Sequence, residues 1–173
     1  MDDFHTVFEL TTFSLLRSLF DGFQVFLFAL IAVSVLGYNK RNSKLSSKLP
    51  SALFFVLFAI ASLCITMGNT IRSVRLYNAY RSKECPQVEG VVHITHQQPY
   101  HGHSEGDAVE IGGEKFNVSY FEGGPHYKQT IAHGGDLREG VKARVWYCNI
   151  HPISEANRAI VRVDISLQNE TTK

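Results

Sequence analysis

The segment AVEIGGEKFNVSY, residues 108–120, carries the clearest structural signal in the chain. Two short runs of alternating apolar and polar residues flank the pair Gly112-Gly113. Glycine pairs of this kind accept the positive φ angles that a two-residue β-hairpin turn requires. On the second arm, Phe116 and Val118 alternate with polar residues, so one face of that strand points inward. The segment therefore predicts an antiparallel hairpin with one buried face.

Further alternating runs lie on both sides of this hairpin. One run, residues 88–95, precedes it, and two runs near 141–146 and 159–165 follow it after several glycine turns. About five short strands separated by glycine turns are typical of a small closed antiparallel barrel. We therefore expect an all-β domain over residues 87–167 that forms an OB-like barrel, with a β-sandwich as the alternative.

Two long apolar runs precede the predicted β domain, at residues 19–38 and 51–67. A helix of about 20 predominantly apolar residues is long enough to cross the hydrocarbon core of a bilayer. Pro50 suits the first turn of the second helix, where a missing N–H removes no helical hydrogen bond. The sequence thus predicts two transmembrane helices in a hairpin, followed by a folded domain.

The connector between the two apolar runs sets the expected orientation. It contains Lys40, Arg41, Lys44 and Lys48 without an acidic residue, which favours a cytoplasmic position for it. The β domain would then lie on the outer side of a bacterial inner membrane, as part of a multi-pass protein. The predicted segments are an N-terminal tail or interfacial helix (1–18), transmembrane helix 1 (19–38), the basic connector (39–48), transmembrane helix 2 (49–68), a helical extension and linker (69–86), the β domain (87–167) and a C-terminal tail (168–173).

The charge of the chain is divided between its two halves. Residues 1–85 carry a net charge of +4 and residues 86–173 a net charge of −3. Nucleic acids are bound by clustered Lys and Arg, which an acidic domain lacks. We therefore expect no nucleic-acid partner. The expected partners are the lipid bilayer, another envelope protein or a second copy of the chain.

The β region resembles a group of uncharacterised small bacterial membrane proteins that have one or two N-terminal transmembrane helices and a small C-terminal β domain. The resemblance covers residues 85–166 and implies a fold and membrane anchoring but no activity. The chain departs from the group at Val118-Ser119, where an aromatic–Ser pair is usual. The matching motifs are Val88-Glu89-Gly90-Val91-Val92, Gly102-His103, the segment 107–116, His133-Gly134-Gly135, Gly140, Arg144, Tyr147 and the strand at 160–165.

Histidine is concentrated in the β region, which holds seven of the eight histidines. Imidazole is a common ligand of Zn²⁺, Cu²⁺ and Ni²⁺, so a loop that brings several histidines together is a candidate metal site. Their spacing matches no established zinc pattern, and solvated turn histidines are the alternative. The candidate ligands are His93, His96, His101 and His103.

Two cysteines, Cys85 and Cys148, lie in the β region and are a candidate disulfide pair, with reduced thiols as the alternative. Cys148 with either His133 or His151 is a candidate thiolate pair, but no oxyanion element accompanies it. We therefore assign no catalytic residue, and an enzymatic activity is not expected.

Three residues on the polar faces of the last strands form a candidate partner site. Arg144 and Arg162 flank Trp146 on what the alternation predicts to be one face. Exposed Trp beside Arg is typical of protein contact surfaces, whereas cross-strand pairing with acidic neighbours is the alternative role.

Taken together, these features predict a membrane-anchored binding or interaction module without a resident cofactor. One alternative is a histidine-rich module that responds to metal or to pH, since imidazole titrates near neutrality. Another is an immunity or accessory protein for a neighbouring toxin.

Overall fold

The computed structural model describes residues 3–17, 49–101, 105–149 and 158–166, together with residues 20, 23, 26, 27, 30, 31 and 34. These residues contain one long helix, α1, and a six-stranded antiparallel sheet. Residues 12–17 are also helical, and a short 3-10 helix lies at Ile131–His133. The elements are β1 (Phe4–Glu9), α1 (Leu49–Arg81), β2 (Gln87–His96), β3 (Asp107–Ile111), β4 (Glu114–Val118), β5 (Lys142–Asn149) and β6 (Arg158–Ser166).

The predicted hairpin is present as β3 and β4, in which Ile111 pairs with Glu114. Both turn glycines have positive φ angles, 57° at Gly112 and 84° at Gly113. A turn with φ > 0 at both central positions matches the right-handed twist of the strands it joins. The glycine pair therefore sets the register of this hairpin.

The sheet is open, with the strand order β1-β6-β5-β2-β3-β4, so β1 and β4 are its two edges. The predicted OB-like barrel is therefore wrong, and so is the β-sandwich alternative. The reason lies in the long connection between β4 and β5, which covers the apolar face of the sheet. Its buried Tyr127 donates its backbone N–H to the carbonyl of Ile160 at 2.8 Å. Because this connection supplies the second layer of the core, the sheet buries that face without closing on itself.

The main core lies between the sheet and this connection. Val92, Val145 and Val163 are fully buried at the centre of the sheet. Tyr127 and Leu137 close the core from the side of the connection. Phe116 and Tyr147 meet edge to face, with ring centroids 5.1 Å apart.

Strand β1 occupies a segment that the sequence placed in a tail or an interfacial helix. It pairs antiparallel with β6, with Phe4 opposite Ser166 and Phe8 opposite Val163. The hydroxyl of Thr6 donates to a carboxylate oxygen of Asp164 at 2.8 Å. The first residues of the chain are thus an integral part of the sheet.

The membrane hairpin was the other main prediction. Within the described ranges, no helix has both the length and the apolar character that a bilayer span needs. The two-span assignment to the bacterial inner membrane, with an outward β domain, is therefore wrong. The apolar run 51–67 is only the first part of α1, which continues through Asn69, Arg72 and Arg75 towards the sheet. Most of the first predicted span (19–38) and the connector (39–48) lie outside the described residues.

The C-terminal end of α1 packs on the sheet through a second apolar cluster. Leu76 of the helix is buried against Leu10, which follows β1, and Val161 of β6. The cluster also contains Cys85 and Cys148, whose sulfur atoms are joined in a disulfide. A bond between residues 63 positions apart restricts the unfolded chain, an effect of about 4 kcal/mol at this loop length.

Helix α1 ends in a reverse turn that places Lys83 in the left-handed region, at φ 59°. Glu84 donates its N–H to the carbonyl of Ala79 at 3.0 Å, and Lys83 donates to that of Tyr80 at 3.1 Å. These two bonds define a Schellman motif, in which the left-handed position is usually glycine. A residue with a Cβ atom is strained there.

We predict that Lys83→Gly raises the free energy of unfolding by about 1 kcal/mol, because glycine adopts the left-handed conformation without this strain. Urea denaturation followed by circular dichroism measures the change. Lys83→Ala is the matched control, since it removes the charge but keeps the Cβ atom. Equal stabilisation by both substitutions would contradict the backbone explanation.

Candidate functional site

A buried carboxylate organises the loops at one end of the sheet. Asp107, the first residue of β3, is only 2 % exposed. One of its oxygens accepts the backbone N–H of Gln98 at 2.7 Å, and the other accepts that of Ile131 at 2.7 Å. Hydrogen bonds to an ionised carboxylate are among the strong ones in proteins. Asp107 thus ties the segment after β2 to the first residue of the 3-10 helix.

The side chain of Gln98 extends this network. It is 1 % exposed, and its amide donates to the hydroxyl of Ser119 at 3.2 Å. Its carbonyl oxygen accepts the backbone N–H of Tyr120 at 3.0 Å. Asp107 and Gln98 together hold the connection between β2 and β3 and two points of the connection between β4 and β5. Residues near these points are therefore placed by buried hydrogen bonds rather than by strand pairing.

These segments present a stack of three rings, Tyr100, His133 and Tyr120, which we call the aromatic stack. His133 is parallel to Tyr120 at a centroid distance of 3.7 Å and to Tyr100 at 4.8 Å. Its Nδ1 atom is 2.8 Å from the hydroxyl of buried Thr130, which fixes the plane of the ring. Tyr100 is 60 % exposed, so the stack forms part of the surface.

A cavity of about 920 Å³ lies beside the aromatic stack, and we call it the cleft. Its three walls are the helical residues 12–17, one face of α1, and the segment 120–129 between β4 and β5. Tyr120 belongs both to the aromatic stack and to the lining of the cleft. Ligand sites in proteins are typically concave and about 300–1,000 Å³ in volume, so the cleft is the candidate functional site.

A histidine and a carboxylate face each other in the wall of the cleft. The Nε2 atom of buried His126 is 3.6 Å from a carboxylate oxygen of Glu122. The pKa of Glu122 is lowered, mainly by the imidazole of His126 and further by the positive charge of Arg72 on α1. A Cβ atom at Gly124 would lie 2.7 Å from the ring of His126, so only glycine leaves room for this ring.

Tyr127 lies between the cleft and the main core and contacts both. Its hydroxyl accepts the backbone N–H of Asp136 at 3.0 Å. Burial raises the pKa of Tyr127 to about 12. The phenol therefore stays protonated at neutral pH and acts as a structural hydrogen-bonding group.

The structure brings Arg144, Trp146 and Arg162 together on one face of the sheet, as the alternation predicted. The Arg162 guanidinium lies over the Trp146 ring, 4.7 Å from its centroid, and donates to Asp164 at 2.9 Å. Arg144 donates to Glu89 at 2.8 Å. Arg144, followed by Lys142, lowers the pKa of Glu89. Both arginines are thus engaged within the sheet, and a partner at this face stays a prediction.

The candidate metal ligands that the structure describes have different surroundings. His93 contacts Glu139, with 3.1 Å between its Nδ1 and a carboxylate oxygen, whereas His101 packs against the ring of Tyr100. His96 is exposed at the end of β2, and His103 lies outside the described residues. In the part of the chain that the structure describes, no three His, Cys, Asp or Glu side chains are grouped as metal ligands. A site for Zn²⁺, Cu²⁺ or Ni²⁺ therefore stays a prediction.

The disulfide also bears on the chemistry of Cys148. A sulfur bonded to Cys85 is not available as a thiolate. Of the two candidate histidine partners, His133 is held by Thr130 within the aromatic stack, and His151 lies outside the described residues.

The cleft and the aromatic stack were not predicted from the sequence. Tyr100 and Tyr120 lie in glycine-rich connections, and aromatic residues in such loops are a signal for surface sites. No feature of the sequence indicated that Asp107 is buried and accepts two backbone hydrogen bonds, since an acidic residue beside a strand is usually solvated.

Comparison of the chain with protein-family models, curated proteins and solved structures finds no match. The family suggested by the resemblance over residues 85–166 therefore stays a prediction.

We predict that Asp107→Ala lowers the free energy of unfolding by about 2–4 kcal/mol, because two buried N–H groups lose their acceptor. Chemical denaturation monitored by circular dichroism measures the loss. Glu105→Ala, which removes an exposed acid two residues away, is the matched control with an expected change below about 0.5 kcal/mol. A similar loss in both variants would refute the proposed role of the carboxylate.

We also predict that Glu122 contributes to stability in a pH-dependent way. Its pKa is lowered in the folded state relative to the ordinary value of 4.5, so its contribution is present above pH 4.5 and is lost as pH falls through the folded pKa. The stabilities of the wild type and Glu122→Gln should therefore differ near pH 6, and the difference should shrink as the pH falls below 4.5 and through the folded pKa. Denaturation curves across this range measure the difference. A difference that does not depend on pH would exclude this electrostatic explanation.

Proposed function

We propose that this protein is an interaction module that assembles through α1 with a second copy of the chain and displays its sheet domain from that assembly. The observation that carries the proposal is the exposure of large apolar side chains along α1. Surfaces of this kind mark association sites, because monomeric proteins rarely expose extended apolar patches.

The exposed apolar surface of α1 extends over several helical turns. Leu57 is 58 % exposed, and Ile71, about four turns later, is 48 % exposed. Ile60 and Met67 lie between them and are more than half exposed. Apolar side chains left in water at this scale favour burial against another apolar surface, at about 25 cal/mol per Å².

The same face of α1 contains small residues that let a second helix approach closely. Ala61, Cys64 and Gly68 are exposed at intervals of three and four residues, which places them in one row. A Cβ atom at Gly68 would have no atom within 4 Å, so the space above this row is open. The distance between packed helices depends on the side chains at their contact, and small residues shorten it.

A second copy of the chain is the occupant that best matches this row. Two-fold assembly places the same surface on both partners, and α1 supplies the required apolar face in each copy. The sheet is attached at the C-terminal end of α1, through the disulfide and the second apolar cluster. This attachment leaves the row of small residues accessible to a second copy.

The expected result is a dimer of the full chain that weakens at least about tenfold on Gly68→Leu, a cost of about 1.4 kcal/mol. Leucine fits the open space of the monomer and favours the helix, so the variant should fold while its side chain keeps the helices apart. Sedimentation equilibrium over a range of concentrations measures the association.

Asn69→Leu, an exposed position on the cleft face of α1 about a third of a turn from the row of Cys64 and Gly68, is the matched control and should leave the dimer unchanged. Cys64, an exposed free thiol, supplies a second readout, because a short bis-maleimide should join two copies. A wild type that stays monomeric, or a Gly68→Leu variant that associates like the wild type, would refute the proposal.

A further inference from the structure

We propose that the cleft binds a single-chain amphiphile with an anionic head group, such as an alkyl phosphate or a fatty-acid carboxylate. The inference rests on the shape, the charge and the polarity gradient of the cleft. It does not depend on assembly through α1.

The cleft is an elongated groove along one face of α1. Residues three or four positions apart lie on the same side of a helix. The lining contains such a row, formed by Phe58, Ser62, Ile65, Asn69, Ser73 and Leu76. Phe58 and Arg72, which both line it, are 14 residues apart, or about 21 Å along the helix axis. A groove of this length and a volume of about 920 Å³ suits an extended chain rather than a compact ion.

The two ends of the groove differ in polarity. Phe58 and Ile65 line the end nearer the start of α1, and both are more than half exposed. Asn69, Thr70, Arg72 and Ser73 line the second half of the groove, where Leu76 is the last helix residue of the lining. An alkyl chain gains free energy by covering the apolar end, whereas a charged head group is stabilised at the polar end.

The charges of the lining favour an anion. Arg17, Arg72 and Lys128 contribute three positive charges to the cleft, whereas Glu122 contributes one carboxylate. That carboxylate already faces the imidazole of His126 at 3.6 Å. Arginine binds phosphate and carboxylate groups with two parallel hydrogen bonds, so Arg72 and Arg17 are suited to hold the head group.

The cleft and the assembly surface use different faces of α1. At 3.6 residues per turn, the row that contains Ser62 and Asn69 lies about a third of a turn from the row that contains Cys64 and Gly68. Ligand and second copy therefore do not compete for the same side chains.

The test is titration of the full chain with dodecyl phosphate below its micelle concentration, followed by isothermal titration calorimetry. We expect saturable binding that weakens at least tenfold in Arg72→Gln and in Arg17→Gln. Arg75→Gln is the matched control, since Arg75 lies on the same helix, is exposed and does not line the cleft. Dodecanoate should bind with the same dependence on Arg72, because it carries the same tail and an anionic head.

Two further probes separate the contributions of the tail and the head. Dodecyltrimethylammonium has the same tail with a positive charge and should bind at least tenfold more weakly than dodecyl phosphate. Inorganic phosphate lacks the tail and should also bind at least tenfold more weakly. Equal binding of the cationic amphiphile or of inorganic phosphate would overturn the inference, and so would equal effects of Arg72→Gln and Arg75→Gln. Gly68→Leu should leave dodecyl phosphate binding unchanged, which separates failure of this inference from failure of the assembly proposal.

Discussion

The junction between the end of α1 and the sheet is the constraint on which the rest of the structure depends. Leu76, Leu10 and Val161 exclude water from this junction, and the disulfide between Cys85 and Cys148 fastens it covalently. Tyr80 adds a hydrogen bond from its hydroxyl to Glu9 at 2.7 Å. Because the junction determines where α1 leaves the sheet, it also determines which helical face meets the segment 120–129. The cleft exists as a consequence of that geometry.

A second constraint acts on the opposite side of the cleft. The connection between β4 and β5 carries no strand of its own among the described residues, yet it covers the core and lines the cleft. Its conformation is maintained at two points, because Gln98 accepts the backbone N–H of Tyr120 and Asp107 accepts that of Ile131. Buried polar networks of this kind specify a single conformation when every member has a partner. The same network positions Tyr120, a member of the aromatic stack.

The two faces of α1 have different surroundings and hence different uses. One face lies against the sheet domain and contributes arginine and hydroxyl groups to the cleft. The other face exposes apolar and small residues without a covering layer among the described residues. A helix that was only structural would place its apolar residues towards the sheet and its polar residues towards water. The departure of α1 from that pattern is the physical basis for assigning it a role in association.

Local sequence patterns determined the strands from β2 to β6 and the turn at Gly112-Gly113, because side-chain alternation and positive φ angles depend on neighbouring residues. They also led to a barrel and a membrane hairpin, both of which are wrong, since alternation does not reveal which strands become edges and the length of an apolar run does not by itself establish a bilayer span. Only the tertiary structure decided that Phe4–Glu9 pairs with β6, that Tyr127 covers the core and that Asp107 holds two distant segments. The contact of Thr6 with Asp164 joins residues 158 positions apart, and such contacts arise from packing of the whole chain rather than from any local periodicity.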